Sequence, residues 1–108
     1  MLYGGIEAGG TKFVCVVASG PDQILAAADF PTTTPEQTLN RTLEFFRKAQ
    51  LDHGSLDALG VAAFGPVDLH PDSLTYGAIT ATPKPGWSNT DILGRLRSVW
   101  DLPVGFDT

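Results

Sequence analysis

The stretch Tyr3-Gly4-Gly5-Ile6-Glu7-Ala8-Gly9-Gly10-Thr11-Lys12-Phe13-Val14-Cys15-Val16-Val17-Ala18 carries the decision about the fold. Two apolar runs of strand length flank a glycine pair. This predicts strands over Tyr3–Ala8 and Lys12–Ser19 joined by a tight turn at Gly9-Gly10. The second run is apolar at every position from Phe13 to Ala18, so a central strand covered on both faces is expected. Cys15 then belongs to the core, because no His or cation near it in sequence would lower its thiol pKa. The turn invites a P-loop reading, since four residues separate Gly5 from Gly10. Thr11-Lys12 reverses the required order of Lys then Ser or Thr, however, and a P-loop opens a helix where this chain opens a strand. The Gly-x-Gly-x-x-Gly dinucleotide pattern is absent as well.

Further along, Gly20-Pro21-Asp22 turns the chain into a third strand over Gln23–Phe30, which completes an antiparallel meander. Thr34 as N-cap, Pro35 at the first helical position and Gln37 form a capping box, and Leu39, Leu43 and Phe46 recur on one face. A helix over Pro35–Gln50 follows, ended by Asp52-His53-Gly54-Ser55 with His53 solvated. Ala58–Phe64 reads as a buried fourth strand, parallel to the first after a crossover. Val67-Asp68-Leu69 and Leu74-Thr75-Tyr76 flank a Pro71-Asp72 turn and predict a small hairpin, with His70 on the surface. Pro83, Pro85 and Gly86 keep Ile79–Trp87 irregular. A second helix is expected from Asn89 or Thr90, with Ile92, Leu93 and Leu96 on one face, and Pro103 marks its exit into a fifth strand over Leu102–Phe106. Strand, strand, strand, helix, strand, helix, strand is the α/β layout of a ribonuclease-H-like, actin-like ATPase lobe. A doubly wound nucleotide fold alternates strand and helix from its start.

The chain has 108 residues, 43% hydrophobic and 18% charged, a globular composition with room for a single modest core. Chemistry that needs a two-lobed cleft must borrow its second lobe. A formal charge of −5 with no basic run argues against nucleic acid as a partner. One cysteine excludes an internal disulfide framework and a Cys-based zinc site, and fits a reducing cytoplasm. The N-terminus lacks a basic leader, and no stretch approaches the ~20 apolar residues of a membrane span, so neither export nor membrane insertion is expected.

A turn of two glycines lets backbone N–H groups converge on an anion with no side chain in the way. Glu7, at the strand end beside it, is placed to hold Mg²⁺ through water, and the Thr11 hydroxyl and Lys12 ammonium are placed to meet nucleotide phosphates. The same residues also suit a plain corner, a solvated carboxylate and a strand-end lysine. Spacing alone leaves both readings open.

Glu7-Ala8-Gly9-Gly10-Thr11-Lys12, the later Gly65-Pro66 and Thr82-Pro83-Lys84-Pro85-Gly86-Trp87, and the closing Val104-Gly105-Phe106-Asp107-Thr108 together resemble the ROK family of bacterial sugar kinases, in particular its fructokinase branch. The likeness runs over the whole chain. It implies transfer of the γ-phosphoryl of ATP to the 6-hydroxyl of a hexose, fructose in this branch, in a cleft between two actin-like lobes. Residues 1–108 would then be the N-terminal lobe, the C-terminal lobe being absent and the chain inactive by itself. By this resemblance Gly9, Gly10, Thr11 and Lys12 face the ATP phosphates and Glu7 faces Mg²⁺, although most of the family has Asp at that position. Gly65, Pro66, Thr82, Lys84 and Thr108 wall the sugar site. Trp87 packs beneath its loop and does not stack on the sugar. The family's general base, the Asp of an Asp-x-Asn motif, falls one residue past Thr108, so no catalytic residue is assigned within the chain. Asp107 is read as a structural carboxylate at a strand end, and Thr108 as loosely held. The adenine pocket and the family's zinc site would lie in the C-terminal lobe, and the full-length enzyme would be a cytoplasmic homodimer. Two alternatives share the fold: a sugar-sensing transcriptional regulator of the same family, and an actin-like structural ATPase. The first usually carries a helix-turn-helix before the first strand. The second has no reason to keep the Thr82–Trp87 loop.

Overall fold

The computed structural model describes residues Met1 to Thr108. Strand β1 (Tyr3–Ala8) and strand β2 (Lys12–Gly20) pair antiparallel across the glycine turn, with Ala8 opposite Phe13 and Tyr3 opposite Ala18. Strand β3 (Gln23–Pro31) returns antiparallel to β2, with irregular register around Ala18. Helix α1 (Pro35–His53) begins where the capping pattern places it, with the Thr34 hydroxyl accepting from the Gln37 N–H at 3.2 Å. It continues past Gln50 because nothing breaks it until Gly54, whose φ of 109° suits only glycine and whose N–H caps the Gln50 carbonyl at 2.9 Å. Exposed His53 closes its last turn.

Strand β4 (Ala58–Ala63) lies parallel to β1, the crossover passing through α1. Two short strands, β5 (Ala78–Ile79) and β6 (Thr90–Asp91), pair with each other ahead of helix α2 (Ile92–Arg97). Strand β7 (Val104–Asp107) then adds parallel to β4, giving the sheet order β3-β2-β1-β4-β7.

Strand alternation sends Ile6 and Ala8, then Phe13, Cys15 and Val17, then Leu59, Val61 and Ala63 to one face. These form one buried cluster with Leu39 and Phe46 of α1 and Ile92 and Leu96 of α2. Gly4 belongs to this face too: a Cβ there would stand 2.7 Å from Leu59 Cδ1 and 3.0 Å from the Phe46 ring. The opposite face carries neither helix.

Four expectations need correction. Strand β2 has a partner strand on each side but is covered on one face only. Val14 and Val16 are half-buried on the open face, where they help floor a broad hollow of about 640 Å³. The hairpin between Val67–Leu69 and Leu74–Tyr76 does not form. The Asp68 carboxylate instead accepts from Ser73 Oγ at 2.6 Å, Thr75 Oγ1 at 2.5 Å and the His70 N–H at 2.9 Å. That competition winds the segment into turns, and Val67 bridges Ile79. Helix α2 starts later than Asn89 or Thr90, because Thr90 and Asp91 pair with Ile79 and Ala78. Asp91 is the true cap, accepting from the Gly94 N–H at 2.9 Å. The fifth long strand also begins two residues after Leu102, at Val104, just past Pro103.

Candidate functional site

Because β1, β4 and β7 are parallel, their C-terminal ends meet at one edge of the sheet, the edge at which open α/β sheets hold ligands. Glu7, Ala8, Gly9, Ala62, Ala63, Phe64 and Thr108 line a hollow of about 300 Å³ there. Glu7 is in register with Ala62, and Ala62 with Asp107. The two exposed acids therefore share a row, two strand spacings or roughly 10 Å apart at the backbone. The Thr108 N–H donates to its neighbour's Asp107 Oδ1 at 2.8 Å.

The turn from β1 to β2 spans Gly9, Gly10 and Thr11. The Gly9 N–H closes it on the Lys12 carbonyl at 3.0 Å, and a Cβ on Gly9 would meet that carbonyl oxygen at 2.6 Å. Only glycine fits there. At Gly10 a Cβ would stand 3.9 Å from the Phe64 ring, an ordinary contact. The N–H groups of Gly10 and Thr11 donate to no acceptor in the chain. Thr11 and Lys12 project into solvent beside them. Two unengaged amides, an exposed hydroxyl and an exposed ammonium at one bend, with Glu7 at the foot of the same strand, can receive an oxyanion and a hydrated cation.

Gly65 and Pro66 prolong β4 past the hollow, and the Pro66 carbonyl accepts from both the Thr80 N–H at 2.9 Å and Thr80 Oγ1 at 3.2 Å. Thr82 and Lys84 do not line the hollow. The Thr82 N–H donates to Ser88 Oγ at 3.2 Å, and Thr82 Oγ1 accepts from the Lys84 N–H at 3.3 Å, so this part of the loop is closed on itself. Trp87 is 0% exposed. Its ring packs on Phe13 and Phe64, with centroids 5.8 and 5.6 Å away, and its Nε1–H donates to the Thr33 carbonyl at 2.8 Å. It is a floor for the loop, and its face is not offered to a ligand.

Sequence reading overlooked Thr32 and Thr33. The signal was present as three consecutive threonines, of which only Thr34 was interpreted, as a helix cap. Thr32 Oγ1 donates to the Gly9 carbonyl at 2.7 Å, which joins the glycine turn to the segment that enters α1.

The groups with displaced pKa lie away from the hollow. Hydroxyls of Ser73 and Thr75 and the His70 amide hold the Asp68 carboxyl down at about 2. Burial pushes the Cys15 thiol up to about 12, against a smaller opposing effect of its hydrogen bond with Thr42. Cys15 is therefore a core thiol at neutral pH. No group of three or more His, Cys, Asp or Glu side chains gathers anywhere in the chain. No helix is long and apolar enough to cross a membrane.

A meander of three antiparallel strands, continued by parallel strands through helical crossovers with an anion-competent bend at the sheet edge, defines a lobe of the actin-like ATPase class. Comparison with known proteins narrows the class. The profile of the ROK family matches residues 3–108, and the chain belongs to that family. A fructokinase of Streptococcus mutans is 48% identical over 107 residues, covering 99% of this chain and 36% of the fructokinase. A fructokinase of Lactococcus lactis subsp. cremoris is 43% identical over 108 residues, covering 100% of this chain and 36% of its own length. Among solved structures, a ROK hexokinase from Thermus thermophilus superposes with a TM-score of 0.76 at 25% identity, over 99% of this chain and 34% of the hexokinase. The chain thus spans about a third of the length of the kinases it matches.

Proposed function

We propose that this chain is the N-terminal lobe of an ATP-dependent hexose kinase, and that the whole enzyme transfers the γ-phosphoryl of ATP to the 6-hydroxyl of fructose. The observation that carries the reading is the glycine bend. Its Gly10 and Thr11 amides lack acceptors and stand beside Lys12 and Glu7 at the ligand edge of the sheet. The curated relatives named fructokinase, at 48% and 43% identity, supply the substrate class.

Phosphoryl transfer asks for positioning and charge neutralisation more than for covalent chemistry. In this reading the Gly10 and Thr11 amides and the Lys12 ammonium hold the phosphates of ATP, and Gly9, whose N–H closes the turn on the Lys12 carbonyl, shapes the bend that presents them. Glu7 would hold Mg²⁺ through water, and the ion would supply neutralisation of the phosphate charge there. The donor set fits such an ion. Mg²⁺ keeps most of its waters and needs only one or two carboxylates beside the phosphates, not a protein cage. Gly65, Pro66, Thr82, Lys84 and Thr108 wall the hexose. For Thr82 and Lys84 this requires the loop to meet the sugar from beyond the 300 Å³ hollow. On the family resemblance the general base falls one residue past Thr108, so residues 1–108 alone do not turn over. The adenine pocket and any zinc site belong to the other lobe, and the full-length enzyme works in the cytoplasm as a homodimer.

The test is a coupled assay of fructose 6-phosphate formation by the full-length polypeptide that carries this lobe. ATP- and Mg²⁺-dependent turnover is expected, with none from the 108-residue chain. Absence of fructose, glucose and mannose phosphorylation in the full-length protein sinks the reading.

A further inference from the structure

Thr32 is 7% exposed, yet none of the roles above uses it. Its hydroxyl donates to the Gly9 carbonyl at 2.7 Å and its N–H to the Thr11 carbonyl at 2.9 Å, so one residue grips the glycine bend on both sides of Gly10. A peptide unit is planar and trans, so its N–H points opposite to its carbonyl. Holding the Gly9 carbonyl inward therefore aims the Gly10 N–H outward, where the chain gives it no acceptor. The next residue serves the other loop. The Thr33 carbonyl accepts from Trp87 Nε1 at 2.8 Å. Its N–H donates to Thr38 Oγ1 at 2.9 Å, and the Thr42 hydroxyl donates to the Thr38 carbonyl at 2.9 Å. Thr38 and Thr42 are both 0% exposed, so this anchor is rigid. Trp87 ends the Thr82–Trp87 loop and packs on Phe64, the ring next to Gly10 and immediately before Gly65-Pro66.

We propose that Thr32 and Thr33 are positioning residues. Together they form a two-residue strap that registers the glycine bend to the Thr82–Trp87 loop, so that the nucleotide side and the sugar side of the site are set by one rigid element. The proposal rests on the kinase reading above for its kinetic consequence, but not for its structural one. The strap touches neither substrate. It acts by aiming the Gly10 amide through the Gly9 carbonyl and by seating the loop through the Trp87 indole.

The experiment uses Thr32→Val, Thr32→Ser and Trp87→Phe in the full-length kinase, with KM for ATP and for fructose measured separately from kcat. Thr32→Val removes one hydrogen bond and keeps the shape, so the KM for ATP should rise up to about tenfold. The fructose KM should rise less. Thr32→Ser, which keeps the hydroxyl, should restore the ATP KM to within about twofold of the parent, a change within the spread of a single weak contact. Trp87→Phe releases the strap from the loop side and should raise both KM values. With Thr32→Val it should be non-additive, because the two changes act on one element. An ATP KM unmoved by Thr32→Val, a Thr32→Ser variant as impaired as Thr32→Val, or a Trp87→Phe variant altered only toward fructose each overturns the proposal. If Thr32→Val does not fold, Trp87→Phe decides alone, by whether the ATP KM moves.

Amide and indole hydrogen exchange in the same proteins separates failure of the strap from failure of the kinase reading. If the parent shows no phosphotransfer, faster exchange of the Trp87 indole hydrogen in Thr32→Val still supports the strap. Unchanged exchange refutes it.

Discussion

Gly9 and Gly10 look alike in the sequence and are unlike in the structure. Gly9 is required by geometry, since a Cβ would stand 2.6 Å from the Lys12 carbonyl oxygen, whereas at Gly10 the nearest atom is 3.9 Å away. Gly9→Ala should therefore destabilise the fold by ~1–3 kcal/mol, the usual cost of forced overpacking. Gly10→Val should leave the melting temperature nearly unchanged while abolishing the ATP-dependent turnover proposed for the full-length protein, because it crowds the outward amide. Lys12→Ala should lose activity in the same way, without loss of stability. Thermal denaturation alongside the kinase assay checks all three; normal turnover by Gly10→Val would remove the bend from the nucleotide site. Cys15 gives a second residue-scale expectation. Its pKa is raised in the folded state, so the stabilisation from the protonated thiol is complete below the unfolded value near 9 and is lost as pH climbs towards about 12. Native protein at pH 8 should resist alkylation by iodoacetamide, and Cys15→Ala should flatten the alkaline limb of a stability–pH curve. The burial of Cys15 was legible in the sequence from apolar neighbours, and that of Trp87 from the packing of a large aromatic ring beneath an irregular loop. The partner of the Trp87 indole was not, because Thr33 is 54 residues away and a backbone carbonyl leaves no trace in side-chain pattern.

At the scale of elements, legibility followed the strength of local chemistry. Strands β1 to β4 and helix α1 were written in period, cap and turn residues that agreed with one another. The hairpin expected between Val67–Leu69 and Leu74–Tyr76 was misjudged because polar side chains there bind the nearest backbone and hydroxyl groups, which overrides a weak apolar alternation. Asp68 is the centre of that region, accepting from Ser73, Thr75 and His70. Its carboxyl pKa is depressed to about 2 in the folded state. The ordering it provides is therefore fully present above the ordinary carboxylate value near 4 and is lost as pH falls through about 2. Asp68→Asn should lower the protection factor of the His70 amide at neutral pH to the value the parent shows only in strong acid. Following the His70 amide and the Ser73 hydroxyl by NMR between pH 2 and 6 checks this. A His70 amide equally protected in Asp68→Asn would show that Asp68 does not hold the turn.

Across the whole molecule, one face of the sheet is packed and the other is open, and this asymmetry was hidden in the sequence. Phe13 to Ala18 is apolar throughout, so periodicity gave no sign that Val14 and Val16 would floor an open hollow. Residue type alone put the bend and Glu7 at the sheet edge. The separation of Thr82 and Lys84 from that edge is set by tertiary packing of their loop on Trp87, which leaves no trace in side-chain pattern. Glycines report the asymmetry directly. Gly4 faces α1, where an added Cβ would press on Leu59, Phe46 and Leu56 at 2.7 to 3.2 Å. Gly60 and Gly105 sit in one cross-strand row on the open face, where an added Cβ would meet nothing within 4 Å. Gly4→Ala should thus lower stability by ~1–3 kcal/mol through overpacking. Gly60→Ala and Gly105→Ala in the 108-residue chain should leave it unchanged or raise it by up to about 1 kcal/mol, as unfolded-chain freedom is reduced without a clash. Urea denaturation of the three variants measures the contrast. Should the open-face substitutions cost as much as Gly4→Ala, that face is covered in solution, and the one-sided packing described for the lobe is wrong.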